Sequence, residues 1–345
     1  MHAALVTGRQ KLELVEMPEP SAEAGKAVVE IAYCGICGTD VHAWLSGEPY
    51  NPAICGHEWV GTVAACGSGV RNVREGDRVV AGVAPACGAC AQCHAGDAVH
   101  CVSALLGMIG LGPLAAKHGG FARAIAIEAA RLSHVPREIP DEDAALVEPA
   151  TVAVHALRRT DLRLGDSVVV LGAGPIGLLV LQCARAAGAS QVIVVEPDAS
   201  RGALARELGA DLVLQPGTDD VGARVAKACA PLGPDVVFEC AGIAATVQQS
   251  VDLARRGGIV SLVGLAGAKA QIDPAAWLVK EVRLVASLGY LHEEFELAMR
   301  LIAGGRIRVA PLRTSTVGLA ELDSAFASLA KPAGQVKILV DPRRS

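Results

Sequence analysis

The chain has 345 residues, too many for one comfortable core and suited to about two domains. It is 52% hydrophobic and only 3% aromatic, so its apolar content is Ala, Val and Leu, as in a sheet packed against Ala-rich helices. A net charge of -5 argues against a phosphate-backbone partner, and no nucleic acid binding is expected.

Met1 to Val6 show no basic segment followed by a long apolar run, so no signal peptide is expected and the protein is placed in the cytoplasm. The most membrane-like window, 168–184, is broken by Gly172, Gly174, Pro175 and Gly177 and is short for a span. A buried strand, turn and helix explain it, and no membrane partner is expected. Eleven cysteines in a long chain without a signal point to metal binding rather than to a disulfide scaffold. Cys183, Cys229 and Cys240 sit in apolar surroundings and read as small core residues.

Residues 1–150 read mostly as strands. Runs at 27–32, 60–64 and 78–81 are β-rich and closed by glycine-containing turns, which predicts an all-β barrel or sandwich carrying loops. Those loops hold the chemistry. Cys34-Gly35-Ile36-Cys37-Gly38-Thr39-Asp40-Val41-His42 is followed by Gly56-His57-Glu58, and Glu148 closes the half. A catalytic zinc uses three protein ligands and keeps one position for water or substrate, so Cys37, His57, Glu58 and Glu148 are the candidates. Taken alone, Cys34 and Cys37 also fit an ordinary C-x-x-C pair, redox-active or metal-bound. Glu148 also fits a helix-start carboxylate before Pro149. Trp44 fits either a pocket wall or the core.

Between the two parts of that set lie Cys87, Cys90, Cys93 and Cys101, spaced C-x2-C-x2-C-x7-C within a lobe at 85–102. Four thiolates complete a closed tetrahedral site with no room for substrate, so this zinc would be structural. An iron–sulfur cluster or four free thiols are the alternatives. His94 and His100 lie beside the set but would displace a sulfur from a complete one.

From 151 the pattern alternates strand and helix. Strands are expected at 168–171, 192–195, 212–214, 236–239, 259–263 and 284–288, with helices such as 201–208 between them, so the sheet should be parallel and doubly wound. Gly172-Ala173-Gly174-Pro175-Ile176-Gly177 follows the first strand and opens a helix. Gly172 permits the tight turn, Gly174 a close approach to a pyrophosphate, and Gly177 close helix–strand packing. Glu196 ends the next strand, where a carboxylate binds ribose hydroxyls and repels a 2′-phosphate; with Asp198 adjacent, NAD is favoured over NADP. A helix at 293–303 and a strand at 336–340 complete the chain.

These motifs, in this order over essentially the full length, resemble the zinc-dependent medium-chain alcohol dehydrogenases. The carboxylate Glu148 before Pro149, with Val152-Ala153-Val154-His155, stands where the best-known members carry cysteine, and resembles the polyol, 2,3-butanediol and threonine dehydrogenase branch. The resemblance implies a GroES-like β-barrel catalytic domain (1–150 and 290–345) and a Rossmann NAD-binding domain (151–289). It implies that Cys37 ligates the metal while Cys34 is structural, and that Glu58 can bind or release the ion. Thr39 would accept the substrate proton and His42 pass it to water through the cofactor ribose. Asp40 would orient His57 through the ring nitrogen that does not bind metal. Val263 and Leu265 would lie in the segment whose backbone meets the nicotinamide amide.

The function expected is oxidation of a secondary alcohol, diol or polyol to the ketone, reversibly, with two zincs per chain and NAD, a metal and a dinucleotide facing one substrate. A homotetramer or dimer is implied by the resemblance alone. Two rivals stand beside it. A zinc-free, NADPH-linked quinone or enoyl reductase would lack the metal clusters, and a zinc- and nucleotide-binding protein without turnover would not need Thr39 and His42.

Overall fold

Short β-branched runs closed by glycine turns fold as strands along most of the chain. The computed structural model describes residues 1–47, 51–82, 84–108, 116–331 and 334–344. In chain order its strands are β1 (His2–Gly8), β2 (Lys11–Glu16), β3 (Lys26–Gly35), β4 (Glu58–Cys66), β5 (Arg78–Ala81), β6 (Ala124–Glu128), β7 (Leu132–His134), β8 (Ser167–Leu171), β9 (Gln191–Val195), β10 (Leu212–Leu214), β11 (Val236–Glu239), β12 (Ile259–Leu262), β13 (Arg283–Ala286), β14 (Arg313–Val317) and β15 (Lys337–Val340).

The chain divides into two compact units, the first formed by Met1–Thr151, Gly289–Ala303 and Leu312–Ser345. Its main sheet has the order β14-β15-β3-β4-β5-β7, with β6 also paired to β3, and β1 and β2 form a separate hairpin. β3 is long enough to serve three neighbours: β4 along its length, β6 at its start and β15 at its end. Among the described residues the ends of this path do not pair, so the strands form an open path rather than a closed ring. Trp44 belongs to the core. It is 5% exposed, meets Phe326 edge-on at 6.1 Å, and its indole N–H donates to Asp323 at 3.1 Å.

The second unit comprises Val152–Leu288 and Gly304–Pro311. Its six strands lie in the order β10-β9-β8-β11-β12-β13, every pairing parallel. A parallel sheet covered on both faces needs unbroken apolar strands, and Val168, Val169, Val170 and Leu171 of β8 are all buried. Each such side chain contributes about 1.5–3 kcal/mol relative to exposure. The outer strand β13 differs: Leu284 is 42% exposed, and the strand ends at Ala286 rather than at the expected 288.

One segment departs from the chain-order assignment. Residues 304–311, expected with the amino-terminal half, pack with the second unit. The Arg308 amide donates to Gln182 Oε1 at 2.7 Å, Gln182 Nε2 donates to the Arg308 carbonyl at 3.2 Å, and the guanidinium pairs with Glu207 at 2.7 Å. Among the described residues no helix is long and apolar enough to cross a membrane.

Candidate metal centre and dinucleotide turn

β3 ends at Gly35, and the chain turns through Ile36 and Cys37 into the helix Gly38–Ser46. Asp40, fully buried, caps this helix by accepting the Cys37 amide at 3.1 Å, and its other oxygen accepts the Gly56 amide at 3.3 Å. One carboxylate thus pins both segments that present ligand candidates. Cys37 Sγ, a His57 ring nitrogen and a Glu58 oxygen all lie within 4.8 Å of one another.

The His57 ring is oriented differently from expectation. Its Nδ1–H donates to the Ile54 carbonyl at 2.9 Å, while Asp40 Oδ1 stands 4.0 Å away. The orienting bond therefore comes from the backbone, and Asp40 acts on the ring at one remove. A carbonyl can only accept, so Nδ1 carries a proton, and Nε2 is the nitrogen left to a metal once its own proton is lost. Burial acts to lower the His57 pKa, but Cys37 first, then Asp40 and Glu148, outweigh it and hold the ring well above its ordinary value. An anion-rich pocket that draws in a proton is one that suits a divalent cation, so the residues present fit zinc.

Glu148 lies in the first turn of the helix Val147–Arg158 and is 9% exposed. It stands outside the compact set of three donors but faces it. Burial pushes its carboxyl up to about 7, with Glu58 adding to the shift while His57 and a hydrogen bond from Tyr290 oppose it. Cys34 is a different thiol from Cys37. It is fully buried, its thiol donates to the Gly35 carbonyl, and burial pushes it well above the thiol range, as suits a structural residue.

Two side chains near this centre were not singled out from the sequence. Tyr290 bonds Glu148, as above. Lys337, on β15 and 1% exposed, donates to both Glu58 oxygens at 2.8 and 2.5 Å and to the Ile36 carbonyl at 2.9 Å. Burial acts to lower its pKa, but Glu58 first, with Cys37 and Glu148, outweighs this and leaves it above the ordinary lysine value. The available signal was a lone lysine inside the apolar run Val336–Val340, which must find an anion if the strand is buried.

Thr39 and His42 lie on the helix Gly38–Ser46, three residues apart and so on one face. Thr39 Oγ1 is buried with no hydrogen-bond partner among the described residues, whereas His42 is exposed. In the cysteine lobe the four sulfurs of Cys87, Cys90, Cys93 and Cys101 lie within 4.8 Å of one another. The Cys90 amide donates to Cys87 Sγ at 3.4 Å and the Cys87 amide to Cys101 Sγ at 3.3 Å, bonds that favour thiolates. The Ala89 and Cys90 amides draw the Cys87 thiol down to about 6. A closed four-sulfur set of this kind fits structural zinc.

In the second unit, Gly172 turns with φ +95° directly after β8, and Gly174 precedes the helix Pro175–Ala186. A Cβ on Gly177 would overlap the Gly172 carbonyl oxygen, whereas one on Gly174 would meet open space. The first glycine serves packing and the second leaves the helix N-terminus approachable. Ile176 occupies the first turn of that helix behind Pro175. Glu196 closes β9, with its Oε2 accepting the Ala173 amide at 2.6 Å and Oε1 the Asp198 amide at 2.9 Å. The Val263 amide donates to the Glu239 carbonyl at 2.9 Å, and Leu265 is 61% exposed. Glu239 itself was not foreseen. Buried at the end of β11 opposite Leu171, its Oε1 gathers the Ala241 and Gly242 amides and the Thr246 hydroxyl, which shapes the loop beside the glycine turn.

Comparison with known proteins agrees with this architecture. Residues 23–137 match the family profile described as the alcohol dehydrogenase GroES-like domain, and 175–304 that described as zinc-binding dehydrogenase. The (R,R)-butanediol dehydrogenase of Bacillus subtilis is 34% identical over 356 residues, covering 99% of this chain and all of the relative. The human sorbitol dehydrogenase is 33% identical over 350 residues, covering 98% and 95%. A solved chain from Sinorhizobium meliloti, described as a zinc-binding dehydrogenase and bound to NADP, superposes with a TM-score of 0.86 at 32% identity and covers 99% of both chains. The chain belongs to the zinc-dependent medium-chain alcohol dehydrogenases, in their polyol dehydrogenase branch, and is an NAD(P)-linked oxidoreductase of secondary alcohols.

Proposed function

We propose that the chain oxidises one carbinol of a vicinal diol or polyol to the ketone with NAD, and reduces the ketone in reverse, with one catalytic and one structural zinc per chain. The observation that carries this reading is the meeting of Cys37, His57 and Glu58 donors within 4.8 Å, together with a buried Thr39 hydroxyl, in the helix that follows Cys37, that has no partner among the described residues.

Cys37, His57 through Nε2, and a carboxylate from Glu148 or Glu58 would hold the catalytic ion, and Cys87, Cys90, Cys93 and Cys101 the structural one. When bound, the zinc supplies Lewis acidity that eases loss of an alcohol proton, and the nicotinamide supplies the hydride acceptor. Thr39 Oγ1 takes that proton as its own moves on, and His42 releases it to solvent from the exposed side of the same helix. Asp40 holds the two ligand-bearing segments in register. In the second unit the glycine turn, Gly172 to Gly177, and the Val263–Leu265 segment bind the dinucleotide.

NAD is preferred because Glu196 and Asp198 put negative charge where a 2′-phosphate would lie. The NADP-bound relative implies that the fold accepts either cofactor, so these local acids carry the choice. The substrate class rests on the butanediol and sorbitol dehydrogenases among the relatives. Assembly as a dimer or tetramer uses the outer strand β13 and the residues just after it, where Leu284 and Leu288 are 42% and 70% exposed. Eleven cysteines, all free, suit the reducing cytoplasm.

The test pairs zinc analysis with NADH production over a panel of alcohols and diols. Cys37→Ser is expected to lose activity and one zinc while keeping the parental circular dichroism spectrum. Normal turnover by that variant would refute the ligand assignment, and wild-type zinc without turnover on any alcohol would favour a non-catalytic binding protein.

A further inference from the structure

We infer that Glu239 is a positioning residue that sets the nicotinamide segment 263–265 against the glycine turn; this rests on the dinucleotide-site reading above. β11, which Glu239 ends, lies between β8 and β12. Its neighbours in register are Leu171, just before the glycine turn, and Leu262, just before Val263. Strand order therefore puts one acid between the two stretches assigned to the cofactor. Glu239 is 1% exposed, and a carboxylate so deep in the sheet persists only if it is hydrogen-bonded.

Its bonds reach both sides. The backbone carbonyl accepts the Val263 amide at 2.9 Å and the Gly264 amide at 2.8 Å. Side-chain Oε1 accepts the Ala241 and Gly242 amides, each at 2.9 Å. It also stands 2.7 Å from the hydroxyl of Thr246, in the first turn of the helix Ala244–Leu253. Bonds to a charged acceptor are roughly twice as strong as neutral ones. The loop they hold is a wedge. A Cβ on Gly172 would come within 3.0 Å of the Ala241 backbone, and one on Gly264 would overlap the Gly242 nitrogen. Three strand-end loops thus meet backbone to backbone, and the middle one hangs from Oε1. The other oxygen, Oε2, is buried with no hydrogen-bond partner among the described residues. One acceptor atom therefore fixes the wedge, and through it the spacing between the glycine turn and segment 263–265.

Fluorescence titration with NADH, and its displacement by ADP-ribose, which lacks the nicotinamide, separates this role from a general loss of structure. Glu239→Met fills the space without a carboxylate, leaving buried amides unpaired, so NADH affinity is expected to fall about tenfold. ADP-ribose affinity should stay within about threefold of the parent, a small change in free energy. Glu239→Gln keeps one acceptor oxygen and should bind both ligands as the parent does. Because Glu239→Met can fail to fold, Thr246→Val, which leaves both amides paired, provides a milder arm: a several-fold loss for NADH alone. Unchanged NADH affinity in a folded Glu239→Met, or in Thr246→Val where that variant does not fold, would overturn the inference. So would an equal loss for both ligands, the mark of a loosened sheet end, or Glu239→Gln binding as weakly as Glu239→Met. A parent that binds NADH no better than ADP-ribose would instead remove the nicotinamide seat at 263–265, and the role of Glu239 with it.

Discussion

A buried hydroxyl without a partner is costly, about 1–3 kcal/mol for the lost solvation, and persists where something later bonds to it. Among the described residues, Thr39 has such a hydroxyl. Thr39→Val keeps the shape and removes only the orphaned oxygen, so the thermal midpoint should hold or rise. Turnover should fall by roughly 10²–10⁴-fold, the usual worth of a positioned proton acceptor. Parallel melting curves and steady-state rates check both halves, and a variant that loses stability but not rate would reduce Thr39 to a turn residue. At this scale the sequence was legible where the motif was local. Cys37 follows the end of β3, and His57 and Glu58 stand at the start of β4, which pairs with β3, so the donors meet in space. It was misleading for Asp40, because whether a carboxylate or a carbonyl reaches an imidazole depends on a few tenths of a nanometre of loop path. Ile54, whose carbonyl takes the bond, has no side-chain signal to read.

Among the elements, the strands of the second unit were readable because a sheet buried on both faces requires continuous apolar runs. β13 was read two residues too long at its end, since Leu288 adds an apolar residue after the strand has ended. The glycine turn was readable for a steric reason that the structure makes specific. Gly177→Ala would drive a methyl group into the Gly172 carbonyl and push the helix Pro175–Ala186 away from β8. The expected result is at least a tenfold loss in NADH affinity by fluorescence titration, with about 1–3 kcal/mol lost from stability by overpacking. Unchanged affinity would show that the turn does not seat the cofactor. Glu239 escaped notice because an acid after a strand usually means a solvated end; here the Ala241 and Gly242 amides of the loop fold back onto it.

For the molecule as a whole, the proposed assembly supplies its own test. Leu284 and Leu288 are exposed on and just after the outer strand β13. Apolar side chains on an open sheet edge favour pairing with another chain. Leu284→Lys should shift the mass measured by light scattering from dimer or tetramer toward monomer, with the folded circular dichroism spectrum retained. A monomeric parent would refute the assembly.

The sequence by itself determined the element types and the glycine turn and offered Cys37, His57, Glu58 and the four lobe cysteines as donors, because each motif depends on residue types at short spacing within its own segment. Only the tertiary structure decided that Lys337 meets Glu58 at a sequence separation of 279, that Tyr290 bonds Glu148, and that residues 304–311 belong with the second unit. These contacts follow from strand order and from where buried charges must find partners. No local pattern encodes that order, since β3 could as well have received another neighbour in place of β15.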